Sequence, residues 1–370
     1  MWHVGGRSRR LLIGVVGVAV AIAVILLGAF LAVRSSPDST AHPSAHRTTA
    51  SPPATFLAVS TTPLRERGQY FVKWPVSTLQ LRSVHGGRLI TTLLRSLGSI
   101  DAVDVPGGSV IAVVSYGCRA QVWRINPRTD ARTLVRTIPQ SAQDVALSPD
   151  GSKLAYLTYP ASGHQQCGPS RQLARPVRFH DLPDLASFLP NVVAVINLKS
   201  GAVARTATRN PGNPPFSLAW SPSGSQIATV VSGGIDLLSA VHPDFGTSKP
   251  IRPRRGCGYR TATWTVRGIL AVENCGMVSP AVPQRILKLL APAGRQPSSW
   301  RLPPCADGVG LIPDPALRHV LVWAEIGYGS RKPCGVNWTY RLAEVLPSQL
   351  KTVAVQHNNN QSYLWGVTGW

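Results

Sequence analysis

Apolar residues along this chain fall into two kinds of run, one long and continuous, the others short and broken by turns. The long run is Leu11 to Val33, LLIGVVGVAVAIAVILLGAFLAV, and it contains no charge. A bilayer core about 30 Å thick takes about 20 such residues as a helix, and a helix satisfies its own backbone polar groups. A single transmembrane helix is therefore expected over residues 11–33. A cleaved signal peptide would have an apolar core of only roughly 7–15 residues and a small-x-small cleavage site. This run is longer, and no strong site of that kind follows it. Arg7, Arg9 and Arg10 precede the run, and Arg34 alone follows closely. The positive-inside rule then puts residues 1–10 in the cytoplasm as a short tail and the rest of the chain outside. Residues 34–54 hold no large apolar residue and are rich in Pro, Ser and Thr, which is the composition of an extended stalk.

From residue 55 the pattern changes to short strand-like runs. AQDVALSPDGSKLAYLT (142–158) and PFSLAWSPSGSQIATVV (215–231) share one plan. An apolar run leads into Ser-Pro-Asp/Ser-Gly-Ser, and a second apolar run follows. Pro presets the turn and Gly supplies its positive φ, so each reads as a tight hairpin. Weaker copies lie at 100–115 (IDAVDVPGGSVIAVVS), 260–274 (RTATWTVRGILAVEN) and 308–324 (GVGLIPDPALRHVLVWA). Their turns recur at intervals of about 40–50 residues, with one interval longer by about 30, the irregular stretch 160–190; such periods belong to propeller blades. Further strand candidates follow the hairpins: AQVWRINP with ARTLVRTI, NVVAVINL with AVARTATR, then GIDLLSAV, RILKLLAP, and TYRLAEVL with LKTVAVQH.

The SPDG-x-x-LAY element at 148–156 and the SPSG-x-x-IA element at 221–228 resemble the TolB-type, WD-repeat-like β-propeller repeat. The resemblance spans roughly residues 55–370. It implies a bladed ring with a binding surface, often for protein partners, and transfers no catalytic residue.

Five hairpins give five blades, and the chain ends suggest a sixth. QSYLWGVTGW (361–370) resembles FSLAWSPSG (216–224), with Leu364-Trp365 near Ala219-Trp220, as an innermost strand and its turn. TFLAVS (55–60) resembles a second hairpin strand. The C-terminal strand is therefore expected to pair with the first N-terminal one, closing the ring and removing free edges. The expected fold is all-β, a six-bladed β-propeller over 55–370, with five or seven blades left open.

All six cysteines, Cys118, Cys167, Cys257, Cys275, Cys305 and Cys334, follow the apolar run, and none forms a C-x-x-C pair. Beyond the bilayer that reads as disulfides rather than zinc or redox chemistry. Of the 15 connectivities six cysteines allow, the blade map favours Cys257–Cys275, Cys305–Cys334 and Cys118–Cys167.

Charge is lopsided: 38 Lys and Arg against 16 Asp and Glu, a net +22. Arg252, Arg254, Arg255 and Arg260 crowd the start of the Cys257 hairpin, and Arg171, Arg175 and Arg178 stud the 160–190 stretch. Basic clusters attract anionic partners. Outside the cytoplasm, and without a nucleic-acid motif, that points to an acidic protein or an anionic surface polymer and not to nucleic acid.

No nucleophile elbow, H-E-x-x-H, Walker or dinucleotide pattern occurs. The scattered acids Asp101, Asp104, Asp144, Asp236, Glu273, Asp307 and Glu325 are the material available for a channel site. Asp144 is expected to precede an inner strand and cap it or bridge blades, Glu273 to face a channel, and Asp150 and Asp314 to shape turns. No catalytic residue, metal ligand or cofactor is assigned. The expected role is a membrane-anchored, non-catalytic binding or scaffold module. The alternative is a metal-dependent hydrolase with its site in the central channel.

Overall fold

The computed structural model describes residues 54–65, 72–105, 108–158, 192–207, 215–231, 234–240, 250–275, 284–290, 298–303, 306–326, 339–357 and 365–369. Residues 11–33, where a transmembrane helix is expected, residues 34–53 of the expected 34–54 stalk, and the 160–190 stretch lie outside them. Among the described residues no helix is long and apolar enough to cross a membrane.

The described residues form strands in six small antiparallel sheets. β1 (Thr55–Arg65), β2 (Val72–Ser83) and β3 (Leu89–Leu97) belong to blade I. Blade II is β4 (Ser99–Val105), β5 (Ser109–Tyr116), β6 (Arg119–Ile125) and β7 (Arg132–Ile138). Blade III is β8 (Gln143–Leu147), β9 (Lys153–Thr158), β10 (Val192–Asn197) and β11 (Val203–Ala207). Blade IV is β12 (Phe216–Trp220), β13 (Gln226–Val231) and β14 (Gly234–Ser239). Blade V is β15 (Cys257–Thr265), β16 (Gly268–Cys275), β17 (Gln284–Leu290) and β18 (Ser299–Arg301). Blade VI is β19 (Ala306–Pro313), β20 (Val320–Ile326), β21 (Thr339–Val345) and β22 (Leu350–His357). The last strand, β23 (Trp365–Gly369), returns to blade I and lies against β1.

Local chemistry explains the hairpins. In blade III the Gly151 N–H donates to the Ser148 carbonyl at 2.8 Å, with Gly151 at φ 69°. The Lys153 N–H donates to Ser148 Oγ at 2.9 Å, and Asp150 accepts from the Ser148 and Ser152 hydroxyls. Blade IV repeats the turn through Ser221 and Gly224. In blade VI, Asp314 takes over the serine's work and accepts the Arg318 and His319 N–H groups at 2.6 and 2.9 Å. The turn role expected for Asp150 and Asp314 is thus met.

The second strand of each blade is buried on both faces, so its sequence is a continuous apolar run rather than an alternation. β5 (SVIAVVSY) and β9 (KLAYLT) are buried along nearly their whole length, whereas β7 (RTLVRTI), at the rim, is mostly exposed. The signal therefore fades from the axis outward. It fades most in blade V, whose outermost strand is the three residues Ser299–Arg301, and in blade IV, where a fourth strand is reduced to a bridge between Ile235 and Ile251.

Six apolar clusters hold the ring, one in each gap between neighbouring blades. The cluster of Phe56, Ala58, Ile312, Leu321 and Leu342 joins blade VI to blade I. The innermost strands neighbour one another in the cyclic order β23, β4, β8, β12, β15, β19 and back to β23. Leu57, Ala58, Val59 and Ser60 pair with Gly369, Val367, Gly366 and Trp365. The closure expected from the chain ends is therefore present, with six blades. One detail differs. Residues 366–369 were expected as a turn after Trp365, but they are the inner strand itself, which begins at that tryptophan. They pair with β1 at every position from Leu57 to Ser60, and that ladder outweighs the local turn preference of Gly366 and Gly369.

Candidate functional site

The repeat sets the starts of the inner strands on one face of the ring and their hairpin turns on the other. At those starts the ladders break. Register shifts fall between Gln143 and Ala146, between Phe216 and Leu218, between Tyr259 and Thr261, and between Ala306 and Val309. Asp144 and Ser217 sit in the first two breaks with φ of 46° and 52°. Such bulges turn a backbone N–H away from its own partner strand. The Asp101 carboxylate on β4 lies near the Asp144 backbone N–H of the next blade, and the Asp144 carboxylate near that of Ser217, and each N–H favours the ionised form. The Ser217 hydroxyl accepts the Ala262 N–H at 3.3 Å and donates to the Ala262 carbonyl at 3.2 Å. Ser217 thus clasps blade IV to blade V through one short polar side chain, and Asp144 and Asp101 stand at the corresponding places one and two blades earlier.

Asp144 stands at the start of an inner strand, where it was expected, and its charge acts on Asp101 of the preceding blade. Burial, followed by the charge of Asp144, pushes the Asp101 carboxyl up to about 7, against the N–H that favours its ionised form. Burial also raises Asp144, opposed by the Ser217 N–H. Asp236 lies on β14, the third strand outward, and Glu325 on β20 accepts the Tyr340 hydroxyl at 3.2 Å. Of Asp104 and Asp307, only the positions on β4 and β19 are described.

Glu273 corrects an expectation. It does not face the channel. Its side chain is 1% exposed and forms the centre of an ion cluster within blade V. Lys288, on the neighbouring β17, places its Nζ 2.5 Å from Oε2. The Arg254 guanidinium donates to the same oxygen from Nε at 3.2 Å and Nη2 at 3.0 Å, and the Arg254 backbone N–H donates to Oε1 at 3.2 Å. Burial alone would raise this carboxyl, but the Lys288 ammonium and the Arg254 donors outweigh it and hold it below its ordinary value. The antiparallel register explains the placement. Glu273 pairs with Ile286, so Glu273 and Lys288, two residues beyond Ile286, share one face of the sheet.

Cys257 and Cys275 stand opposite each other across β15 and β16 and form the expected disulfide, with Cα atoms 4.2 Å apart. Their sulfurs and Glu273 bring three potential metal-ligating groups within 4.8 Å. Because both sulfurs are joined, that trio offers only one carboxylate, itself held by Lys288 and Arg254. Cys118 is also disulfide-bonded. Its expected partner Cys167, and the pair Cys305–Cys334, lie outside the described residues.

The arginine cluster is on the surface, as its sequence suggested. Arg252, Arg254, Arg255 and Arg260 are all exposed, the first three on the segment leading into β15 and Arg260 at the bulge of β15. Arg254 turns back to Glu273. Among the described residues no carboxylate pairs with Arg252, Arg255 or Arg260. Arg171, Arg175 and Arg178 lie outside the described residues.

Sequence reasoning missed Lys288 and the Ser217 clasp. The clasp's place had a signal, since Asp144 and Ser217 each stand four residues before the serine of their turn. Lys288 had none, because nothing in RILKLL marks one lysine as the partner of a particular glutamate.

These features define a six-bladed β-propeller. TolB from Acinetobacter baumannii has a similar fold, with a TM-score of 0.53 at 12% identity, covering 85% of this chain and 67% of that one. An oligogalacturonate lyase from Vibrio parahaemolyticus follows at a TM-score of 0.49 and 9% identity, covering 80% of this chain and 79% of that one. The WD40 domain of Toxoplasma gondii coronin scores 0.45 at 12% identity, covering 81% and 68%. At these identities the likeness concerns the fold. No protein-family model matches the chain, and no curated protein matches it in sequence.

Proposed function

We propose that this chain is a membrane-anchored, extracytoplasmic propeller that binds an anionic surface polymer or an acidic protein without catalysing a reaction. The observation that carries this reading is the exposed trio Arg252, Arg255 and Arg260, with no carboxylate of the described residues against it. Arginine forks suit phosphate and carboxylate groups. The Cys257–Cys275 disulfide supports an oxidising compartment. The uncharged run Leu11 to Val33, with arginines before it, supports an anchor with the propeller outside.

The test uses the full chain in mild detergent and a poly(glycerol phosphate) polymer as probe. Binding should weaken steeply with salt, because screening at 0.15 M acts within about 8 Å. The triple variant R252Q/R255Q/R260Q should bind at least tenfold more weakly, with Arg254 left in place to hold Glu273. Equal affinity of the variant would overturn the role given to this patch. The anchor is tested separately by protease protection in intact cells or spheroplasts. Calcium or zinc retained stoichiometrically by the purified chain would instead favour a metal-dependent hydrolase.

A further inference from the structure

A second site, away from the Arg252 patch and independent of the reading above, lies in the cleft between blades V and VI. A cavity of about 440 Å³ opens there, within the size range of small-ligand pockets. Its walls include Trp300 and Arg301 from the outermost strand of blade V, Arg341 from β21, and Ser348, Gln349 and Thr352 from the outer edge of blade VI. Among the described residues two arginines line it and no acid does.

The repeat shows why a space exists in this gap. The hairpins of blades III and VI can be superposed by their turn hydrogen bonds, Ser148 to Lys153 in one and Asp314 to His319 in the other. On that register Val322 takes the place of Tyr156, and Arg341 takes the place of Val192. Tyr156 is fully buried and fills the gap between blades II and III. Its replacement by valine removes a ring's volume, and Ala324 and Ala343 leave the surrounding wall low. The opposite wall is pinned, because the Trp300 indole N–H donates to the Leu346 carbonyl at 3.0 Å.

Arg341 supplies the chemical demand. Its Nε is buried and has no hydrogen-bond partner. The two nearby carboxylates of blade VI are engaged elsewhere, Glu325 with the Tyr340 hydroxyl and Glu344 with His319 at 3.5 Å. A buried donor without a partner is costly, more so on a cation. An anion in the cavity would set a compensating charge beside this buried cation and take the two-pronged geometry that the outer N–H groups of a guanidinium offer.

We infer that this cleft binds a small anionic sugar unit, with its carboxylate or phosphate on Arg341, its body against Trp300, and its hydroxyls within reach of Ser348, Gln349 and Thr352. Free sugar acids and the units of an acidic surface polymer share this chemistry, and the size of the probe separates them.

The experiment titrates the full chain in detergent with glucuronate, glucose 1-phosphate, a glucuronate-containing oligosaccharide and neutral glucose, read by calorimetry and by Trp fluorescence. At least one charged monosaccharide should bind, tenfold or more tighter than glucose. Arg341→Gln should weaken it at least tenfold. Ser348→Trp places bulk at the exposed rim and leaves the packed wall untouched, so it should block binding even if the arginine variant fails to fold. Tighter binding of the oligosaccharide than of its monomer would identify a polymer as the source, and the reverse a free sugar acid. Equal binding of glucose, undiminished binding in a folded Arg341→Gln, or no binding of any charged probe would overturn the proposal. Because the Arg252 trio is intact in both variants, failure here leaves the polymer-binding reading to its own test.

Discussion

Replacing Glu273 by Gln is the sharpest probe of blade V. The substitution keeps the shape and removes the charge. Lys288, 17% exposed, then keeps an ammonium beside a neutral amide, while Arg254, 62% exposed, can turn to water. A hydrogen bond to a charged group is worth about 1.5–3 kcal/mol. The exposed Arg254 arm adds only about 0–1 kcal/mol. The variant should therefore lose about 2–4 kcal/mol at pH 7, or roughly 4–8 °C in thermal midpoint for a domain of this size. The pH dependence follows from the direction of the shift. The folded carboxyl is held below its ordinary value of 4.5, so its contribution is complete above that value and is lost as pH falls through the lower folded one. The gap between parent and variant should be full at pH 7 and should shrink below about pH 4. The double change Glu273→Gln with Lys288→Met should recover most of the loss, because no unpaired buried charge remains. Differential scanning calorimetry of the detergent-held chain at pH 7 and pH 3 reads both effects. An unchanged midpoint at pH 7, or a gap that does not narrow at all between pH 7 and pH 3, would refute the assignment of Glu273 as an ionised hub.

Other consequences are equally direct. Phe56→Ala empties a fully buried position where blade VI meets blade I and should cost about 3–5 kcal/mol by urea unfolding. A Cys257→Ser, Cys275→Ser double variant opens an 18-residue loop and should lose about 3 kcal/mol, with the parent losing more on full reduction because the Cys118 bridge opens too. Asp101, raised to about 7 from 3.8, contributes stability below pH 4 that fades as pH rises through 7, so the midpoint of Asp101→Asn relative to the parent should climb across that window and then level.

Much of this was readable in the chain itself, for a physical reason. Inner hairpins are built from local sequence: Ser148 to Gly151 and Ser221 to Gly224 close their turns with their own atoms, and the buried second strand must be apolar on both faces. Facing positions on one hairpin, such as Cys257 and Cys275, follow from where its turn lies. Elements at the rim write weaker signals. The outermost strand of blade V is Ser-Trp-Arg, too short for a period, and Ile251 gives blade IV only a bridge. Glu273 looked like a channel acid because it follows an inner hairpin strand in sequence, but its partner stands on another strand. The cavity at Arg341 comes from comparing blades in space, where a valine replaces a tyrosine, and no single stretch of sequence announces it.

The central claim is that the last strand completes the first blade. Amide hydrogen exchange over Phe56 to Ser60, measured in the full chain and in a chain ending at Leu364, tests it most directly. Slow exchange that becomes fast at those amides on removal of the last six residues is the predicted result. Equal exchange in the two chains would contradict it.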